Sequence, residues 1–188
     1  MSDLASALPG AAAQGLVTVR EAGLVGMVTF RGDLSAQDTA AAIKAATSCD
    51  LPGQRAVVTE GEVSVAWMSP DELLVICPHD AATGMAAQIS AQMGTAHHLA
   101  LNVSDARAVF EVAGAGWRDV LAKVSPADLS REVFGPGEMR RTRLAQVAGA
   151  FWMTGEDTVR VICFRSVARY VFDLLVLSAR SDAAVGYH

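Results

Sequence analysis

The stretch WMSPDELLVIC at residues 67–77 is written again at 152–163 as WMTGEDTVRVIC. Each copy runs Trp-Met-Ser/Thr, a short acidic turn, then an apolar segment ending at cysteine. The tryptophans lie 85 positions apart (152 − 67) and the cysteines 86 (163 − 77), so one inserted residue in the turn accounts for the difference. Val63, Val65 and Trp67 alternate with small or polar residues, the signature of a strand with one buried face. A chain that spells one hairpin twice is expected to contain a duplicated supersecondary unit.

Around each hairpin a similar order of signals recurs. Residues 24–32 (LVGMVTFRG) predict a strand ended by Gly-Asp, and Ser35 with Asp38 three positions on predicts a capping box for the helix in AQDTAAAIKAA. After the first hairpin, Asp80 is a candidate cap for a helix carrying Met85, Ile89 and Met93 at every fourth place, closed by Gly94. HHLALNV then reads as a strand. Residues 106–114 (ARAVFEVAG) predict another strand, and Trp117, Val120, Leu121 and Val124 fall at helical spacing. Ser125-Pro126-Ala127-Asp128 predicts the start of a short second helix, because proline at the first helical position loses no hydrogen bond. MRRTRLAQV, AGAFWMT and TVRVICF predict strands, and a long helix starts at Ser166. The expected fold is α+β, two pseudo-repeated β-α-β-β-α halves at 23–104 and 105–180, with an N-terminal arm or first strand at 1–22 and a tail at 181–188. Trp67 and Trp152 are expected as equivalent core anchors, the alternative being an aromatic clamp for a flat ligand.

With 188 residues the chain suits one domain or two small halves sharing a core. Apolar residues make up 52% and charged ones 19%, against about 45–50% and about 25% in typical soluble domains. That surplus, with a mean hydropathy of +0.31, fills an alanine-rich interior or covers a surface that another subunit buries. A net charge of −5 argues against nucleic acid as a partner, which calls for clustered excess cations. Every basic residue except Lys44 and Lys123 is arginine, suited to interfaces and equally a product of GC-rich codons. The three cysteines, Cys49, Cys77 and Cys163, show no C-x-x-C spacing, so neither a disulfide framework nor a zinc knuckle is expected. MSDLASALPG has no basic start before an apolar core, and no apolar run reaches the roughly 18 residues of a membrane helix. A soluble, cytoplasmic chain is the expectation.

Candidate chemistry is sparse. FEVAGAGWRDV leads a strand through Gly114-Ala115-Gly116 into a helix, but Asp119 stands where a dinucleotide loop needs its third glycine, and a carboxylate there repels pyrophosphate. His97 and His98 are adjacent and on a strand point to opposite faces, and His79 beside Cys77 is too little for a metal site. No catalytic, cofactor-binding or metal-binding residue is nominated. Arg140, Arg141 and Arg143 form a basic cluster, with Arg141 and Arg143 sharing a strand face, that either guards a sheet edge or meets an acidic partner or ligand carboxylate. Along residues 166–180 the polar side chains Ser166, Arg169, Asp173 and Arg180 form one narrow stripe that includes Val176. That helix is either buried nearly all round or meets another chain. The candidate partner-interface residues are therefore Arg140, Arg141, Arg143, Arg169, Phe172 and Val176.

At LAKVSPADLSREVFGPGEMRRTRLAQV and CFRSVARYVFDLL the chain resembles the gamma subunit family of heterotetrameric sarcosine oxidase, and WMSPDELLVIC is similar to that family's W-x-x-P-D-E-hydrophobic hairpin. The resemblance covers most of residues 24–179. Val124-Ser125 stands where the family often has Gly-Cys. More distantly, the halves are similar to the aminomethyltransferase of the glycine cleavage system, a folate-binding-domain-like fold. The resemblance implies a non-catalytic gamma subunit alongside alpha, beta and delta subunits. It implies a complex that demethylates sarcosine oxidatively to glycine, passes the one-carbon unit to tetrahydrofolate and makes hydrogen peroxide, with FAD, FMN, NAD and folate on the other subunits. The alternative is a free-standing folate-binding or one-carbon-transfer protein.

Overall fold

The computed structural model describes residues 4–186. The chain divides into two compact units, one of residues 24–104 and one combining the segment up to residue 23 with that from 105 onward. The second of these begins with β1 (Ala12–Gln14) and β2 (Thr18–Glu21).

The unit of residues 24–104 holds β3 (Val25–Arg31), α1 (Gln37–Thr47), β4 (Val57–Glu60), β5 (Val63–Ser69), β6 (Glu72–Pro78), α2 (Ala82–Met93) and β7 (Leu99–Asn102). Its antiparallel sheet has the order β4-β5-β6-β3-β7. The alternation of β3 points Val28 and Phe30 to one face, where Val65 of β5 and Leu73, Val75 and Cys77 of β6 join them. Ala42 and Ile43 of α1 and Ala86, Ile89 and Met93 of α2 cover that face. Each fully buried side chain of this size contributes about 1.5–3 kcal/mol, more than the typical 1 kcal/mol of a helix cap. Neither helix has a side-chain cap, so burial rather than capping holds them on the sheet. The expected Ser35–Asp38 capping box is not made. Instead Asp33 Oδ1 accepts hydrogen bonds from the Ser35 amide at 2.9 Å and its hydroxyl at 2.6 Å, a local turn that precedes α1. The segment AVVTEGEVSVAWM holds the two strands β4 and β5, because Gly61 takes φ +59° and the chain reverses between them.

The other unit adds β8 (Arg107–Ala113), α3 (Trp117–Ala122), β9 (Met139–Leu144), β10 (Val147–Gly155), β11 (Thr158–Phe164) and α4 (Ala168–Ser178). The sheet order is β1-β2-β8-β11-β10-β9. Phe110, Val112, Phe151, Val159, Val161 and Cys163 face Trp117, Val120 and Leu121 of α3 and Val171 and Leu175 of α4. Ser125-Pro126-Ala127-Asp128 starts no helix. The Ser125 hydroxyl accepts from the Ala127 amide and Asp128 Oδ1 from the Ser130 amide, so each side chain closes its own turn. Among the described residues no helix is long and apolar enough to cross a membrane.

The repeated hairpins differ by one residue in a place that matters. Their closing pairs are Ser69 with Glu72 and Gly155 with Thr158, so both turns have two residues. Cys77 and Cys163 each lie five positions beyond the closing pair and both enter the helix-covered core. The extra residue lies in the strand before the second turn, not in the turn itself. Trp67 is two positions before its closing pair and Trp152 three, and a one-residue slip exchanges sheet faces. Trp67 falls on the face of Val65 and is partly buried. Trp152 falls opposite Phe151 and is buried. The tryptophans are therefore not equivalent anchors.

Gly26 pairs with Cys77 where β3 and β6 approach closely, and an added Cβ would lie 2.4 Å from the Pro78 carbonyl oxygen and 2.9 Å from that of Cys77. Backbone cannot yield as a side-chain tip does. Gly26→Ala should lower unfolding free energy by about 1–3 kcal/mol, and Gly53→Ala, where nothing lies within 4 Å, should change it little. Urea titration of both variants checks this, and equal stability would contradict the close approach.

Candidate functional site: an arginine-clasped loop and its cavity

Between α3 and β9 the chain runs through residues 123–138 without a helix or strand. Such a segment must satisfy its carbonyls elsewhere. Arg118, one residue into α3, supplies much of what is needed. Its Nη1 donates to the carbonyl oxygens of Leu129 and Phe134, and its Nη2 lies 3.7 Å from Met153 Sδ. Its guanidinium stacks over the Trp117 ring with Cζ 4.4 Å from the centroid. Arg140 clasps the other end. Its Nη2 donates to the Val133 carbonyl and its Nη1 to that of Met139, while its Cζ lies 5.0 Å over the Phe134 ring. Glu138 adds a carboxylate oxygen that accepts from the Gly135 amide at 2.6 Å.

The loop is also pinned by an aromatic ladder. Phe134 is fully buried, edge-on to Trp117 at 6.0 Å and to Phe151 at 5.4 Å, with interplanar angles of 76° and 90°. Such pairs add about 0.5–1.5 kcal/mol each beyond area burial.

Beside the clasped loop lies a cavity of about 480 Å³. Its walls are Phe134, Gly135 and Pro136 on one side and the tip of the β10–β11 hairpin, Met153 to Glu156, on the other, with Arg118 and Arg131 between. Arg118 is 5% exposed. Burial, and next the charge of Arg131, push its ionisation below the usual arginine value, and Glu132 opposes this more weakly.

The other features weighed from sequence do not converge on chemistry. The Gly114-Ala115-Gly116 turn packs against Val17, and Asp119 accepts a hydrogen bond from the Gly186 amide. The helix it opens has only six residues. His98 stacks on Phe30 at 6.4 Å, with Nδ1 2.7 Å from the Ala96 carbonyl oxygen, and His97 is exposed. Among the described residues no three His, Cys, Asp or Glu groups are placed to hold a metal. All three cysteines are buried and unbridged. Burial raises each thiol, that of Cys163 to about 12, so they stay protonated and unreactive.

The interface candidates occupy different environments. Arg140 is mostly buried in the clasp, whereas Arg141 and Arg143 are exposed on edge strand β9. On α4, Arg169 pairs with Asp173 at 2.9 Å, Phe172 lies 5.9 Å from Phe110, and Val176 is partly buried. The open apolar groups of that helix are Tyr170 and Leu177, at 44% and 59% exposure. The clasp has no signature in the sequence, because its acceptors are backbone carbonyls of an irregular loop, which any residue supplies.

The family described as "Sarcosine oxidase, gamma subunit family" matches residues 31–182. A sarcosine oxidase subunit gamma of Arthrobacter sp. is 33% identical over 162 residues, which are 85% of this chain and 78% of that one. In structure, a chain of the heterotetrameric sarcosine oxidase of Corynebacterium sp. U-96, solved with pyrrole 2-carboxylate, superposes with a TM-score of 0.82 at 26% identity, covering 92% of this chain and 88% of that one. The glycine cleavage system aminomethyltransferase T of Bartonella henselae shares the fold with a TM-score of 0.61 at 12% identity, over 86% of this chain and 48% of its own.

Arg140→Ala removes two carbonyl contacts and a ring contact at once. It should lower stability by about 1–3 kcal/mol, whereas exposed Arg143→Ala should stay within about 0.5 kcal/mol. Chemical denaturation of the two variants checks this, and indistinguishable midpoints would remove the clasp from the fold's energetics.

Proposed function

The chain belongs to the sarcosine oxidase gamma subunit family, and from that membership we propose that it is a non-catalytic subunit of a heterotetrameric sarcosine oxidase in the cytoplasm. The observation that carries this reading is the near-full-length superposition on a chain of such an enzyme at 26% identity. In the proposed assembly the alpha, beta and delta subunits hold FAD, FMN, NAD and tetrahydrofolate. The complex converts sarcosine to glycine, moves the one-carbon unit to folate and passes electrons through flavin to oxygen. This chain contributes shape and stability, since a partner that binds only the folded state adds to that state's stability.

The halves at 23–104 and 105–180, expected as β-α-β-β-α, are read as copies of one β-α-β-β-β-α unit, β3-α1-β4-β5-β6-α2 and β8-α3-β9-β10-β11-α4. Support comes from the matching strand orders β4-β5-β6-β3 and β9-β10-β11-β8, with β7 and the N-terminal β2 added at the same edge, and from Cys77 and Cys163 at corresponding places.

Two surfaces are proposed to meet the partners: α4, through Tyr170, Leu177, Arg169, Phe172 and Val176, and the β9 edge, through Arg141 and Arg143 with Arg140 behind them. Exposed tyrosine and leucine beside an arginine suit the aromatic, apolar and arginine-rich centre of an interface.

Leu177→Asp should leave the isolated chain folded, because the side chain is already 59% exposed, yet reduce its recovery with the larger subunits at least about tenfold, since a buried unpaired charge costs several kcal/mol. Undiminished co-purification would take α4 out of the interface. Calorimetric titration of the isolated chain with tetrahydrofolate separates the two classes of function. The subunit reading predicts no saturable heat, and stoichiometric micromolar binding would favour a free-standing folate-binding protein.

A further inference from the structure

The cavity at the arginine-clasped loop brings two arginines to one opening. Arg118 is 5% exposed, and buried charges are ordinarily paired with an opposite charge. Its partners are two neutral carbonyls, a thioether and the face of the Trp117 ring, and among the described residues no carboxylate makes an ion pair with it. The second guanidinium, that of Arg131, lines the same cavity. Glu156 also lines it, but from the exposed hairpin turn, and its backbone carbonyl accepts from Trp117 Nε1 at 3.2 Å.

Two guanidinium groups, Arg118 and Arg131, thus border one opening, with the carboxylate of Glu156 at its rim and the charge of Glu132 acting on Arg118. The thioether is a weak acceptor, so Arg118 Nη2 keeps donor capacity towards a better one. A carboxylate meets a guanidinium fork through two parallel hydrogen bonds. The remaining walls, Phe134, Pro136 and Met153, are apolar and suit the body of such a ligand better than a bare inorganic anion. The volume of about 480 Å³ lies within the roughly 300–1,000 Å³ of small-molecule clefts.

We propose that this cavity binds a small organic carboxylate, its carboxyl group held between Arg118 and Arg131 and its apolar body against Phe134, Pro136 and Met153. The site lies wholly within one unit of the chain.

Proton–nitrogen NMR titration of the full chain tests this with benzoate as the probe, and with benzamide and inorganic phosphate as comparisons. Benzoate should give saturable shifts at Arg118, Gly135, Thr154 and Gly155. Benzamide, which has the same shape without the charge, should give none, and phosphate should bind more weakly than benzoate. Arg131→Gln, at an exposed position whose loss should not unfold the chain, should weaken benzoate binding about tenfold, as expected for loss of a charge-assisted contact. Absence of saturation, equal response to benzamide, phosphate binding as tight as benzoate, or unchanged affinity in Arg131→Gln would each overturn the proposal. Arg118→Lys serves as a second variant. It keeps the charge without the fork, and should bind benzoate more weakly than wild type while retaining the dispersed amide spectrum of a folded chain.

Discussion

A buried guanidinium holding the carbonyls of an irregular loop is the interaction on which the C-terminal half of this chain turns. Residues 123–138 carry no regular structure of their own, so no helix or sheet ladder fixes their path. Burial of Leu129 and Phe134, with Arg118 and Arg140 on the loop's carbonyls, does so instead. The same contacts deliver the chain to β9 in register, because Arg140 is itself the second residue of that strand and pairs with Phe151 across to β10. Loop, edge strand and aromatic ladder therefore form as one piece.

Much of the architecture was legible because alternation and periodicity are local. Val63 and Val65, the apolar run before Cys77, and the spacing of Trp117, Val120 and Leu121 name a strand face or a helix face by themselves. The α+β class followed from those signals. The failures share a cause too. Trp67 and Trp152 match by letter, but their faces depend on where one extra residue is absorbed, and that is decided by pairing across the hairpin. Ser35-Asp38 and Ser125-Pro126-Ala127-Asp128 have the composition of helix starts, but Ser35 closes a turn with Asp33, and Ser125 and Asp128 each close a turn of their own. Ser and Asp bind nearby amides in either conformation, so their presence marks a boundary without saying which side is helical. Arg140 looked like its neighbours in a basic cluster, and only the strand's alternation with the loop behind it separates a buried clasp from exposed charges.

The segment that carried the resemblance to the family, LAKVSPADLSREVFGPGEMRRTRLAQV, coincides with the clasped loop and β9. That gives the similarity a physical content. A loop of this length with two glycines and two prolines is specified by a particular set of contacts, whereas an apolar strand can be replaced by many others of like volume. The loop's closure on Trp117, Phe134 and Phe151 leaves a shaped cavity on one side, and α4 leaves Tyr170 and Leu177 open on another. A chain with apolar residues at 52% and charged ones at 19% that keeps such groups at its surface is suited to permanent association.

Membership in an assembly is therefore the claim from which the rest of the functional account proceeds. Native mass spectrometry of this chain co-expressed with the three larger or smaller partners of a sarcosine oxidase addresses it most directly. The account predicts a single heterotetramer containing one copy of this chain, with no free chain left when partners are in excess. A complete, flavin-loaded enzyme that assembles without it, while this chain migrates alone at its own mass of 19.6 kDa, would contradict it.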